Sequence, residues 1–334
     1  MDSPLAAHAQ GAEPPPVLRA TYQALDPRRG LDARVLGAIA FGARTPLPDD
    51  PRVVRVGLEP LEGAGTCELW LGSAPVRAGR SGEIRHADDG THQFAVIEVD
   101  EREHGGIEQA AEHAYRRLWA FKRETDFPCP LRIWNFFDAI NEGQGDQERY
   151  KRFVLGRARA LEGDALAQYP AATAIGRRDG SPVLQVYWLA ARHAGLALEN
   201  PRQVSAWRYP RQYGPVSPGF ARAMLAPGFG LMISGTASVV GHASLHEGDA
   251  ARQLDECLVN LDRVLRRGAE AEPALATGFG PHSTLKLYAR DGGEGRRLGR
   301  VLAERLPSGT PLMVLGGDVC RSELLVEIEA AQPL

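Results

Sequence analysis

The sequence predicts an α+β protein with mixed sheets and helices packed on one face of each sheet. Two stretches, 107–190 and 250–330, follow the same pattern of amphipathic helix, strand, shorter helix and two strands. The shorter helices also share a tripeptide, Leu155-Gly156-Arg157 in the first and Leu298-Gly299-Arg300 in the second. We infer that the chain contains a duplicated unit.

The length of 334 residues suits two domains of ordinary size. Residues 1–16, with their run of three prolines, predict a flexible lead. We expect a first, degenerate domain over 17–190 and a second over 191–334 that carries most of the functional site.

The first unit follows a set of short strands. Residues 52–58, 68–71 and 94–99 predict strands, residues 107–122 a long helix and 131–137 another strand.

The shorter helix of this unit is predicted over 147–161, and Arg157 lies in the middle of its apolar stripe. Two interpretations stay open. Arg157 either extends along the apolar surface to an internal carboxylate or water, or is a buried cation that awaits an anionic ligand.

The second unit begins with a helix over 250–267 that Gly268 should end as a C-terminal cap. A strand over 283–288, a helix over 295–306 and strands over 312–315 and 324–329 complete the predicted sheet.

Composition excludes several function classes. The net charge of −3 and the pI near 6.3 argue against a nucleic-acid-binding protein. Four scattered cysteines without a Cys-x-x-Cys pair argue against a zinc site or a disulfide framework. His242 and His246 have no obvious third ligand, so no metal is predicted. The sequence has neither a membrane span nor a secretory signal, and we expect a cytoplasmic protein.

The last strand carries the leading catalytic candidate. In an extended chain, Glu327 and Glu329 share one face, whereas Val326 and Ile328 face the other way. The two glutamates are either solvated on an open sheet face, or they face a covered cleft. In a cleft, loss of water would raise the pKa of Glu327 and make it a general acid.

Three other segments offer ligand contacts. The loop with Arg208, Tyr209, Arg211 and Tyr213 has donors for carboxylates, or is a plain surface loop. Residues 234–242 contain small side chains that let the backbone approach a ligand. The thiol of Cys320 precedes an arginine, and is either reactive or packed against a ligand.

Taken together, the chain from about residue 50 to 330 resembles the chorismatases, in which a degenerate RidA/YjgF-like domain is fused to a better preserved one. The stretches that carry this resemblance are 132–137, 139–142, 150–157, 169–173, 199–203, 234–242 and 320–327. The resemblance implies two RidA/YjgF-like (chorismate mutase-like) domains in a pseudo-trimeric arrangement, as a monomer with internal pseudo-symmetry or as a homotrimer.

The resemblance also implies a small-molecule substrate, chorismate, with no nucleic acid, membrane, metal or organic cofactor. Glu327 would protonate the enolpyruvyl methylene. The ring hydroxyl would then displace pyruvate through an arene oxide to give 3-hydroxybenzoate, with 4-hydroxybenzoate as a further product in the bifunctional branch. Gly235 and Cys320 look like the small residues of the aromatising branch. The expected substrate contacts are Arg157, Arg300, Arg208, Tyr209, Arg211, Tyr213, Gly235, Thr236 and Ala237.

Three alternatives remain. A hydrolytic chorismatase would give a dihydroxycyclohexadiene carboxylate. An imine deaminase of the RidA type would need an arginine where this chain has Met313. A ligand-binding module without catalysis would have no use for a proton donor at Glu327.

Overall fold

The computed structural model describes residues 18–26, 29–42, 47–62, 66–161 and 169–334. The predicted flexible lead, 1–16, lies outside the described residues. The strands are β1 Arg19–Ala24, β2 Val35–Phe41, β3 Val53–Val56, β4 Glu59–Pro60, β5 Thr66–Leu71, β6 Arg77–Ser81, β7 Ile84–Asp88, β8 His92–Asp100, β9 Cys129–Asp138, β10 Ala171–Arg177, β11 Val183–Ala191, β12 Leu196–Leu198, β13 Ala223–Ala226, β14 Gly230–Ala237, β15 Val239–Val240, β16 Ala243–Ser244, β17 Thr284–Ala289, β18 Leu312–Gly316, β19 Asp318–Val319 and β20 Val326–Pro333. The α-helices are α1 Glu101–His104, α2 Ile107–Glu124, α3 Arg149–Ala160, α4 Ala250–Ala271 and α5 Gly292–Arg305.

Three mixed sheets hold nearly all of these strands, so the predicted α+β class with mixed sheets is correct. The first sheet has the order β1-β5-β2-β3. The second has the order β19-β10-β9-β11-β8-β7-β6, and the third β12-β13-β14-β20-β17-β18-β4. Two short strands, β15 and β16, pair separately.

One strand order recurs in all three sheets. The series β8-β11-β9-β10 in the second sheet corresponds to β14-β20-β17-β18 in the third and to β1-β5-β2-β3 in the first. In each series the last pair is parallel and the first two pairs are antiparallel. The duplication read from the sequence therefore appears as two sheets of equal topology. A third, shorter sheet has the same core order, and its strands come from the N-terminal part.

Each seven-stranded sheet has helices on one face only. Helices α2 and α3 cover the second sheet, and α4 and α5 cover the third. The opposite faces of the sheets meet in one central core, to which the first sheet contributes Trp70, the second Tyr187 and the third Tyr288. The faces without helices therefore point toward the middle of the molecule.

The helices follow the predicted amphipathic stripes, with one correction. Gly268 does not end α4, which continues to Ala271. A side chain at position 268 would overlap Leu275 and come within 2.9 Å of Leu231, so this glycine allows close packing inside the helix. Asp249 and Asp291 act as N-caps, because their carboxylates accept from backbone N–H groups in the first turns of α4 and α5.

Two edge strands connect the sheets. β4, from the N-terminal part, pairs with β18 of the third sheet, and β19, from the C-terminal part, pairs with β10 of the second. The predicted first domain, 17–190, contains the first sheet, the second sheet apart from β19, and the edge strand β4 of the third, and its boundaries remain a prediction. No helix among the described residues is both long and apolar enough to cross a membrane.

Candidate active site

The site is centred on β20, whose side chains alternate between two environments. Val326 and Ile328 pack beneath α4 and α5, so Glu327 and Glu329 face the central side of the sheet. Glu327 is 5% exposed and Glu329 is 3% exposed. The solvated alternative for these glutamates is therefore wrong. A second layer, with strands β9 and β10, covers this face, and the sequence did not reveal that cover.

Glu327 lies opposite Ala237 on β14 and Tyr288 on β17. The pKa of its carboxyl is raised from 4.5 to about 8, chiefly by burial and next by the negative charge of Glu329. Arg132 and Arg222 oppose this shift without cancelling it. The acid form of Glu327 therefore predominates at neutral pH.

Gly235 makes room for this carboxyl. A Cβ at that position would overlap Oε1 of Glu327. The pairing of β14 with β20 is irregular between Ile233 and Thr236, which places Gly235 at a bulge beside the acid. The glycine therefore has a steric function at this point of the strand.

Glu329, by contrast, is a fixed anion. Its Oε1 contacts Lys286 Nζ at 2.6 Å and accepts from Trp134 Nε1 at 2.9 Å. Its Oε2 accepts from Arg132 Nη2 at 2.8 Å and from Thr173 Oγ1 at 2.6 Å. These cations and donors hold the pKa of Glu329 at about 2, against the cost of burial. Two carboxyls on one face thus have pKa values pushed apart, as an acid and a permanent anion.

A cavity of about 320 Å³ opens in front of Glu327. Its walls come from α3 and β10 on one side and from β14 and the segments around 203–222 and 320–327 on the other. Polar and apolar groups alternate along these walls, as is typical of small-molecule sites. The lining residues that carry the argument are Tyr150, Arg157, Thr173, Tyr209, Tyr213, Arg222, Gly235, Ala237, Cys320, Arg321 and Glu327.

Arg157 is one of the cations that line the cavity. Its side chain is buried at 4% exposure, and Nη2 donates to the Gly219 carbonyl at 2.5 Å. The guanidinium lies 5.0 Å from the centre of the Tyr115 ring, and Nε has no hydrogen-bond partner among the described residues. The interpretation of Arg157 as a buried cation that faces a ligand site is the one these contacts favour.

Arg222 and Arg321 also line the cavity. Arg222 donates from Nη2 to the Tyr209 hydroxyl at 2.6 Å, while its Nε is buried without a partner in the described part of the chain. Arg321 donates to the His242 carbonyl at 2.9 Å, and its guanidinium stacks 3.8 Å from the centre of the Tyr213 ring. The two tyrosines therefore hold arginines in place as well as forming a wall.

Cys320 borders the cavity as a neutral thiol. Burial raises its pKa to about 12, and the nearby Glu327 adds to this shift, so the adjacent Arg321 does not make it a thiolate. The prediction of a reactive thiol is therefore not supported. The alternative, a small side chain that packs against a ligand, agrees with its position.

Four predicted contacts lie away from the cavity. Arg300 is on the exposed side of α5, beyond the outer face of the third sheet, with Glu62 at 4.0 Å. Arg211 forms an exposed pair with Asp146 at 2.5 Å, and Arg208 is exposed. Thr236 alternates to the opposite side of β14 from Gly235 and donates to the Ser234 carbonyl. Their proposed role in direct substrate binding is withdrawn.

The sequence prediction missed Arg222, Arg321, Thr173 and Lys151 at the cavity and Lys286 beneath it. One signal could have found two of them. Arg222 stands in the apolar run 220–226 and Lys286 in the strand 284–289, and a charged residue inside an apolar strand usually has a buried partner or a ligand. Thr173 has no such signal in the sequence, because it belongs to the site only through its position opposite β14 in the folded chain.

The charges around the cavity are unequal. Arg157, Arg222, Arg321 and Lys151 face it, against the carboxyls of Glu148, Glu323 and Glu327. With Glu327 in its acid form, about two positive charges remain unmatched, which suits a dianionic ligand. In the described part of the chain, no group of three or more His, Cys, Asp or Glu side chains could hold a metal ion.

Comparison with known proteins gives the same picture over most of the chain. A protein-family model described as "Chorismatase FkbO/Hyg5-like, N-terminal" matches residues 68–190. A 3-hydroxybenzoate synthase from Streptomyces hygroscopicus is 36% identical over 275 residues, which cover 78% of this chain and 80% of that protein. A chorismatase from the same organism is 33% identical over 314 residues, 89% of either protein.

The fold agrees with these matches. A crystal structure of a chorismatase at 1.08 Å resolution is similar with a TM-score of 0.82 and 31% sequence identity, over 94% of this chain and 98% of that one. Identity above 30% over more than two thirds of a relative, together with the common fold, establishes the relationship. The chain belongs to the chorismatase family.

Proposed function

We propose that this chain cleaves chorismate into pyruvate and 3-hydroxybenzoate, with Glu327 as the general acid. The observation that carries the proposal is a buried carboxyl with a raised pKa at the wall of a cavity with surplus positive charge. The names of the relatives, 3-hydroxybenzoate synthase and chorismatase, supply the substrate and the product.

Chorismate is a dianion, and its two carboxylates lose water when they enter the cavity. That loss is tolerable only if cations replace the water. We assign this role to Arg157, Arg222 and Arg321, because each has a guanidinium at the cavity wall and two of them have an unpartnered Nε. Tyr209 and Tyr213 would form a wall of the ring site and keep Arg222 and Arg321 in position.

The first chemical step is protonation of carbon. The enol ether uses its C=C electrons to take the Glu327 proton at the terminal methylene, and the former double bond becomes an oxocarbenium centre. Glu327 becomes a carboxylate beside this new positive charge, so the transition state is stabilised by the base that forms. A pKa near 8 makes the acid available at pH 7 and still strong enough to give up its proton.

The second step forms the aromatic product. The neighbouring ring hydroxyl attacks the carbon that bears the ether oxygen, the C–O bond breaks, and its electrons become the ketone of pyruvate. The hydroxyl proton returns to the Glu327 carboxylate. One C–O bond of the resulting arene oxide breaks, the ring carbon that keeps the oxygen loses its proton, and the oxygen gains a proton, which gives 3-hydroxybenzoate. All atoms of chorismate appear in the two products, so the reaction consumes neither water nor an external oxidant.

We propose that Gly235, Ala237 and Cys320 favour this internal displacement by the shape of the wall. The neutral thiol of Cys320 occupies volume beside Glu327 without offering a charge, and Gly235 lets the acid approach the substrate. A wall that excludes water at this point would suppress the hydrolytic product. 4-Hydroxybenzoate would form if the ring oxygen stayed on the carbon that bore the hydroxyl group, as when the arene oxide opens at its other C–O bond, and the assay below detects it.

We also propose the finer parts of the architecture and setting. The strand order common to the three sheets supports RidA-like units in a pseudo-trimeric arrangement within one chain. The domain division at residue 190 rests on the sequence pattern. A cytoplasmic location rests on the scattered cysteines, which offer no disulfide framework in the sequence.

The test is an incubation of purified protein with chorismate, followed by chromatography of the aromatic acids and an enzymatic assay of pyruvate. We expect equal amounts of pyruvate and hydroxybenzoate, with no turnover by Glu327→Gln. The glutamine amide has nearly the same shape as the carboxylic acid, so the strand should keep its structure, but the amide has no acidic proton to donate. Chorismate that stays unconsumed by the wild-type protein contradicts the proposed function, and turnover by the variant contradicts the assignment of the acid.

A further inference from the structure

The buried anion Glu329 has no contact with the main cavity, yet it has the most completely bonded carboxylate near the site. Four side chains from three strands hold its two oxygens: Lys286, Trp134, Arg132 and Thr173. Such a dense set of buried charges is costly to assemble. Packing alone does not require it, because apolar side chains would fill the same space.

We propose that Glu329 is a positioning residue for the reaction, an immobile negative charge that keeps Glu327 in its acid form and fixes the strand segment against which Glu327 lies. This inference rests on the proposed function for its catalytic meaning. Its physical content, the coupling of the two glutamates, can be measured without substrate.

The geometry connects the two carboxyls through Thr173. Its hydroxyl donates to Glu329 at 2.6 Å and accepts from Arg132 at 2.5 Å and from the backbone N–H of Gly235 at 2.9 Å. Glu327 lies directly against Gly235. The bonded Glu329 therefore also holds the bulge of β14 that contacts the acid.

The electrostatic coupling is direct. Two positions that are two residues apart on one face of a strand are separated by about 6.5 Å. Burial is the largest cause that raises the pKa of Glu327, the charge of Glu329 comes next, and Arg132 and Arg222 oppose both. Besides Glu329, the titratable and charged groups that act on Glu327 or face it across the cavity are Arg132 on β9, Glu148 before α3, Tyr150, Lys151 and Arg157 on α3, Tyr209, Tyr213 and Arg222 before β13, Cys257 on α4, and Cys320, Arg321 and Glu323 after β19.

Loss of this charge should shift the protonation of Glu327 measurably. A unit charge about 6.5 Å away, at an effective dielectric constant of about 20, corresponds to about one to two pH units. In Glu329→Gln the alkaline limb of kcat/KM should therefore move toward acid by that amount. Activity should fall about five- to fiftyfold at pH 8 and at most about twofold at pH 6.

The experiment is a pH profile of kcat/KM for chorismate in the wild type, Glu329→Gln and the matched control Glu68→Gln. Glu68 is equally buried, at 2% exposure, and its carboxylate contacts the same Lys286 at 2.7 Å from the far side. The control should lose similar stability, yet keep the alkaline limb of the wild type. An unmoved limb in Glu329→Gln, or an equal shift in the control, overturns the proposal.

A second readout separates this inference from the proposed function. Infrared titration of the ligand-free protein detects the carbonyl stretch of a buried carboxylic acid, and Glu327→Gln identifies the band. We expect the band to disappear near pH 8 in the wild type and one to two units lower in Glu329→Gln. If the wild type does not consume chorismate, the proposed function fails, while the titration still decides the coupling.

In Glu329→Gln, Lys286 keeps its contact with Glu68, but Arg132 loses its carboxylate partner, and the variant could fail to fold. The double variant Lys286→Met with Glu329→Gln removes one cation and one anion of the cluster, so that Arg132 and Glu68 remain as opposite charges that attract each other. Exchange of a buried ion pair for neutral groups is often tolerated. The same shift of the Glu327 band is expected in the double variant. A band that still titrates near pH 8 there contradicts the role of Glu329.

Discussion

The substitution Glu327→Gln should abolish turnover and at the same time stabilise the protein at neutral and alkaline pH. The folded state holds the Glu327 proton up to about pH 8, whereas an unfolded glutamate loses it near 4.5. A raised pKa means that full stability is present below pH 4.5 and is lost as the pH rises to 8. At 1.36 kcal/mol per pH unit, the wild type has lost about 3 kcal/mol at pH 7. Glutamine has no such proton to lose.

The size of the thermal shift follows from the length of the chain. At about 2.1 cal/mol/K per residue, 334 residues give an unfolding entropy near 0.7 kcal/mol/K. About 3 kcal/mol then corresponds to a rise in Tm of about 4 to 5 °C at pH 7. The difference in Tm between variant and wild type should vanish at pH 4, because the wild-type Glu327 is then protonated in the folded and in the unfolded state.

The assay is thermal unfolding of wild type and variant, followed by calorimetry or fluorescence between pH 4 and 9. Glu304→Gln, on the exposed face of α5, is the matched control and should show no difference that depends on pH. A variant less stable than the wild type at pH 8 would refute the reasoning. So would a gain that is equal at pH 4 and pH 8, since burial of the charge would then not be its cause.

Further expectations concern the wall of the cavity. Cys320→Ala should leave pyruvate release largely intact and increase the hydrolytic product. The smaller side chain frees part of the volume that one water molecule occupies, which is about 30 Å³. Product ratios that chromatography finds unchanged would discredit this role. Arg222→Gln should raise KM by about ten- to hundredfold through loss of a charged contact, whereas Arg300→Gln should leave KM unchanged, and equal effects in steady-state kinetics would contradict the assignment. Gly235→Ala should lower kcat by about a hundredfold, because its Cβ displaces the Glu327 carboxyl; wild-type kcat in that variant would show that the close approach is irrelevant.

Much of the fold could be predicted because the helices and strands follow from the local spacing of apolar residues along the chain. The amphipathic stripes of α2 and α4 and the alternation of β20 depend only on residues near in sequence. The tripeptide shared by α3 and α5 exposed the duplication, and the sheets show it as a common strand order. The end of α4 was predicted too early, because Gly268 serves close packing with Leu231 and Leu275 and not a cap.

The candidate site was predictable only in part. Glu327 could be named, since an acidic position in an otherwise apolar strand is visible in the sequence. Arg300 was predicted by analogy with Arg157, yet equivalent positions in the two units face different surroundings. Arg157 lies against the cavity between the two halves, whereas Arg300 faces outward from α5. Duplication thus preserves local structure without preserving the environment of a side chain.

The sequence by itself predicted most of the elements and their order, and it named Glu327 as the candidate acid. Only the tertiary structure decided the state of that acid, because the pKa of Glu327 depends on burial by strands about 150 to 200 residues earlier in the chain and on a neighbouring anion held by Arg132 and Lys286. Electrostatic energies depend on distance and on the exclusion of water, and neither quantity is encoded in the local pattern of a strand.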